Sequence, residues 1–135
     1  MVAVEGMASR LTAERMTDRA LAELQTAFAR VDDAVRRGDV DEYITESQRF
    51  YAVEWEIAGN RWLKRMMHVL GYQSLRHRVR LVSLPGQMER IRTIYRDVMD
   101  AYVRRDGAEA ERLMRGMLEE SCQILVSHLR STPEA

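Results

Sequence analysis

Between Tyr43 and Asn60 the chain reads YITESQRFYAVEWEIAGN, and its polar groups recur at helical intervals. Residues four apart on a helix lie one above the other, so Ser47 and Tyr51 face one way, with Glu54 and Ala58 farther along the stripe. A hydroxyl and a phenol on one face can hold a carbonyl, carboxylate or hydroxyl group. Facing inward, Glu54 would have its pKa raised by burial and could move a proton; facing outward, it would meet solvent or an arginine. Arg76 and Arg80 also stand four apart, and would clamp an anion if they faced inward or pair with acidic neighbours in solvent if they did not.

Other chemistries lack their residues. There is no glycine-rich phosphate loop, no Ser-His-Asp ordering and no Cys-x-x-Cys element. His68, His77 and His128 have no ligand spacing relative to one another, which makes them surface or helix-end residues. Cys122 is the only cysteine, so an internal disulfide is excluded, and it is expected to be a small buried filler. Met66, Met67, Met88, Met99, Met114 and Met117 stand at core-like spacing.

The elements that must position these groups are helical. Only Pro85 and Pro133 interrupt the chain, and 46% of its 135 residues are apolar, mostly at helical spacing. Val2–Arg15 reads as a first short helix, and Thr17 before Asp18 as the cap of a second that ends at Gly38 with Leu21, Leu24, Phe28, Val31 and Val35 on one stripe. Asp39 with Glu42 opens a third helix running to Gly59, and Asn60 caps a fourth from Arg61 to about Leu81. Gly71 inside it marks a kink or a close approach. Pro85 begins a fifth, carrying Met88, Ile91, Tyr95, Val98 and Tyr102, and Asp106 with Glu109 starts a sixth, carrying Ala110, Leu113, Met117, Ile124 and Leu129. The expected fold is all-α, one antiparallel bundle of six helices over residues 1–130, with a flexible tail at 131–135.

Charge and hydropathy bound the partners. With 21 basic and 21 acidic residues, no broad field draws the chain to nucleic acid or to an anionic membrane. The charge is unevenly placed, because no acid occurs from Asn60 to Met88 while Arg61, Lys64, Arg65, Arg76, Arg78 and Arg80 do. No signal peptide and no spanning apolar run is present, so a cytoplasmic soluble protein is expected.

Phe50-Tyr51 followed by Ala58-Gly59-Asn60 resembles the FCD effector-binding domain of FadR-type, GntR-family transcription regulators. The resemblance spans about the whole chain. It implies four metal-ligand positions, an Asp and three His in the family, which here are Ser47, Tyr51, Tyr95 and Met117. Tyr95 lies eleven residues before Asp106, and Met117 seven after Ala110, as in the family pattern. Where the family more often has Gly before Asp at the last helix, this chain has Asp106-Gly107. The family's winged helix-turn-helix does not precede the residues given, so this chain by itself is not expected to bind DNA.

A hydroxyl, two phenols and a thioether do not replace an Asp and three imidazoles around zinc, nickel or manganese, so no metal and no cofactor is expected. Two outcomes follow for the space they surround: an amphipathic pocket for a small molecule, or a core filled by the larger side chains. The pocket reading takes Ser47, Tyr51, Glu54, Arg76, Arg80, Tyr95, Met117 and Ser121 as ligand contacts in a sensing domain, a homodimer by the same resemblance. The alternative is a stand-alone enzyme in which Glu54, Tyr51 and Tyr95 orient a substrate and move protons.

Overall fold

Four of the five helix starts after the first are set by a side chain that satisfies an otherwise orphaned backbone amide. Thr17 accepts from Ala20 N, Asp39 from Glu42 N, Asn60 from Leu63 N and Asp106 from Glu109 N, each at 3.0 or 3.1 Å. The computed structural model describes residues 1–132 as six helices: α1 (Val2–Glu14), α2 (Asp18–Arg37), α3 (Val40–Ala58), α4 (Arg61–Val82), α5 (Gln87–Val103) and α6 (Gly107–Ser131). No strand occurs among the described residues, and the all-α bundle is as the periodicity predicts. Gly38 and Gly59 close α2 and α3 in the left-handed conformation, φ 66° and 65°.

α1 lies chiefly on α6 and α3, α2 on α3 and α5, and α5 on α6. Leu24, Val31, Phe50, Tyr95, Val98, Tyr102, Ala110 and Met114 form the middle of the core. Gly6 permits the close approach of α1 to α6, since a Cβ there would lie 2.7 Å from Arg115 Cγ. α4 closes one side, touching α1, α3, α5 and α6 more sparsely.

Several expectations are corrected. α5 begins at Gln87, not at Pro85, because Gly86 takes φ 78° and the Pro85-Gly86 pair is spent on the turn. At the entry to α6 the left-handed residue is Arg105, φ 56°, with Asp106 N bonding back to Ala101 O at 2.9 Å. Gly107 has taken a packing role instead: a Cβ there would meet Glu14 Cγ at 3.0 Å and Arg10 Cγ at 3.2 Å. Cys122 is exposed, as are Met66 and Leu129, because the outer faces of α4 and of the end of α6 are apolar without being covered. Ser131 is the last residue of α6, so the expected tail starts within it, and residues 133–135 lie outside those described.

Candidate functional site

The inner face of α3 carries buried Tyr43, Ser47 and Glu54 and half-buried Tyr51, and Tyr51 and Glu54 meet Tyr95 and Tyr102 of α5 across the core. The four positions at which the resemblance implies metal ligands gather around Tyr51. Its ring lies 5.8 Å from that of Tyr95, centroid to centroid, and both border a space of about 10 Å³ with Ser47. Met117 and Tyr51 line a second cavity of about 100 Å³. Ser47 Oγ is buried beside the Tyr43 ring and forms no hydrogen bond of its own, and Arg92 Nε, on the border of the same small space, has none either.

These groups do not fit a divalent cation. Burial raises the pKa of Tyr51, and raises that of Tyr95 well above the ordinary phenol range, with the neighbouring Tyr51 and Glu54 adding to the latter, so both stay protonated near neutral pH. Met117 offers only a thioether. Among the described residues no cluster of three or more His, Cys, Asp or Glu could hold a metal.

Glu54 faces inward and is 3% exposed. Its carboxyl accepts a hydrogen bond from the Tyr102 hydroxyl, itself fully buried, and its backbone carbonyl accepts from Thr12 Oγ1 at 3.1 Å. Burial pushes the Glu54 pKa up to about 8, which the Tyr102 hydrogen bond partly opposes, so the carboxyl is mostly neutral at pH 7. It borders a space of only about 10 Å³ shared with Tyr51 and Tyr95, about enough for one water.

More space lies on the other side of Tyr51. A cleft of about 310 Å³ runs between α3 and α4, lined by Tyr51, Trp55, Met67, Gly71, Leu75 and Arg78 among others. It shares Tyr51, Trp55, Gly71 and Arg78 with the 100 Å³ cavity that reaches Met117 and Ser121. Tyr51 and Trp55 stack, their centroids 6.1 Å apart with 15° between ring planes, and both stand in the cleft wall. At Gly71 α4 comes close to this ring pair, since a Cβ there would lie in ordinary contact with Trp55 Cη2 at 3.9 Å. Across the cleft Arg78 stands over the Tyr51 ring, its Cζ 4.8 Å from the centroid. Ser121 lies at the edge and accepts a 2.7 Å hydrogen bond from Arg90.

Arg76 and Arg80 are not in this cluster. Both are exposed, two residues to either side of Arg78 and so about 200° around the helix from it. The residue that sequence reasoning passed over was legible: Met67, Gly71, Ser74, Arg78 and Leu81 follow one another at intervals of four, three, four and three, the inward stripe of α4. Trp55 and Glu5 were missed as well. Glu5, from α1, is half-buried in the wall of the smaller cavity, and its pKa is raised to about 7 by burial against the opposing pull of Arg78 and the amino terminus.

No curated protein of known function matches this chain significantly. The model of one family, described as the FCD domain, matches residues 1–120. By that match over nearly its whole length, the chain belongs to the FCD domain family.

Proposed function

We propose that this chain is an effector-binding domain that takes a small metabolite, an organic acid or another molecule with an apolar body and a polar head, in a metal-free cavity around Tyr51. The observation that carries the reading is the pair of adjoining cavities on the α4 side of Tyr51, about 310 and 100 Å³, with aromatic rings, hydroxyls and one guanidinium in their walls. Pockets of about 300 Å³ and more, mainly apolar with few polar groups, are the usual form of small-molecule sites. FCD domains serve as effector domains of GntR-family regulators, which supports the same role here. With no net charge on 135 residues, the chain acts through its ligand and a partner, a second copy of itself included, rather than through DNA.

The enzyme alternative asks Glu54 to meet a substrate. Its bond to Tyr102 and the small space it borders favour binding over turnover. A thermal-shift titration with metabolite mixtures in excess chelator tests the reading. Ligand is expected to raise the unfolding temperature with chelator present, and Tyr51→Ala to weaken binding about ten-fold or more. Stabilisation that appears only when zinc or nickel is added, or product formation lost in Glu54→Gln, contradicts it.

A further inference from the structure

Among the described residues, twelve of the fifteen arginines outside α4 form an ion pair with a carboxylate, whereas none of the five on α4 does. The reason is local. No acid stands between Asn60 and Met88, so the pairs at three and four residues that serve Arg36, Arg37 and Arg112 on their own helices have no counterpart here. Lys64 alone on α4 finds a carboxylate, Glu56 across the turn from α3. Arg65, Arg76 and Arg80 stand exposed without one.

The same face carries apolar side chains that nothing covers. Trp62, Met66, Val69, Gln73, Arg76 and Arg80 follow one another at intervals of four, three, four, three and four, the line of α4 turned away from Met67, Gly71 and Arg78. Trp62 is 65% exposed, Met66 49% and Val69 51%, and apolar surface gathered in this way marks an interaction site. The line is sorted along its axis: its first three residues are apolar and its last two are cations, over about 27 Å of helix. A helix that rests on a membrane sorts its groups around the axis instead, so that its whole length meets the same layer. A second α4 from another copy of the chain would bring no carboxylate to Arg76 and Arg80 in either direction.

We infer that the outer face of α4 docks an amphipathic helix of a partner protein, laid antiparallel, whose first turns carry carboxylates for Arg76 and Arg80 and whose later turns carry apolar side chains for Trp62, Met66 and Val69. An axial order of this kind is matched by another helix, which presents its own groups at the same intervals. The antiparallel direction follows from the partner's own stability: carboxylates in the first turn of a helix meet the positive end of its dipole. Guanidinium and carboxylate then supply specificity at one end, and burial of apolar surface supplies affinity at the other. The surface lies on the opposite side of α4 from the cavities, and its role does not depend on what they bind.

Fluorescence anisotropy of labelled designed helices, titrated with the intact chain, tests it. One peptide carries Glu on its first two turns and Leu on its last two along one face; a second has the same composition with the order reversed, and a third has Lys in place of Glu. The acid-first peptide is expected to bind about ten-fold or more tightly than either of the others, and less tightly as salt is added. Arg76→Glu combined with Arg80→Glu should reverse the preference, losing the acid-first peptide and gaining the lysine peptide, and that gain also reports a folded variant. Trp62→Ala should weaken the acid-first peptide, and Arg30→Glu, at an exposed and unpaired arginine of α2, should change nothing. Equal binding of the acidic and lysine peptides, or equal losses in Arg30→Glu and the α4 double variant, overturns the inference. So does equal binding of the two acidic orders. Capture by phosphatidylserine vesicles when no peptide binds would give the face to a membrane, and a dimer in sedimentation that Trp62→Glu dissolves would give it to a second copy; either result overturns the partner helix.

Discussion

The two sides of α3 are built differently. Toward α1, α5 and α6, Glu54 is hydrogen-bonded to Tyr102 and Thr12 and borders a space that leaves room for about one water. Toward α4, Tyr51 and Trp55 face a cleft of about 310 Å³. The helices that close the two sides differ accordingly: α5 buries seven of its 17 residues, whereas α4 buries three of its 22, Met67, Leu81 and Val82. On its outer face α4 exposes Trp62, Met66, Val69 and Tyr72. A rigid half thus fixes one wall of the cavity, and a helix with few buried anchors forms the other. Such a wall can adjust to a ligand at little cost, because few contacts must be broken to move it.

Variants on each side would break or sharpen this contrast. Tyr102→Ala removes a fully buried ring and leaves Glu54 without its donor, so chemical denaturation should read a loss of about 3–5 kcal/mol. A smaller loss would mean that the sealed side is looser than its packing indicates.

Glu54→Gln should act through pH. The folded-state pKa of Glu54, about 8, lies above the ordinary carboxyl value of 4.5, so folding favours the protonated form. Its contribution is fully present below about pH 4.5 and is lost as pH rises through about 8. The glutamine, which can still accept from Tyr102, should match the unaltered chain near pH 4 and exceed it by a few kcal/mol above pH 8. Equal pH profiles for the two would place the carboxylate in contact with water. On the loose side, Tyr72→Ala should change stability by less than about 0.5 kcal/mol, since the side chain is 83% exposed.

Local chemistry made the helix starts readable. Thr17, Asp39, Asn60 and Asp106 act within three residues of themselves, and so their role is visible in the letters alone. The turn at Pro85-Gly86 was less so, because proline tolerates both a helix start and a turn, and the left-handed Gly86 decides between them. Which apolar faces are covered was not readable for Met66, Cys122 and Leu129, since spacing identifies a stripe without naming what lies against it. The same limit let Arg76 and Arg80 stand for Arg78: a spacing of four is shared by every face of a helix, and only the buried neighbours Met67 and Leu81 select one.

The nine methionines supply the most direct test of the metal-free cavity. Met67 and Met117 line the two cavities, while Met99 lies on the α2–α5 side. Methyl NMR spectra of the methionine-labelled chain, titrated with an aromatic carboxylate in excess chelator, should show the Met67 and Met117 signals moving while Met99 stays in place. Signals that move only after zinc or nickel is added, or that move at Met99 and not at Met67 and Met117, would contradict the account.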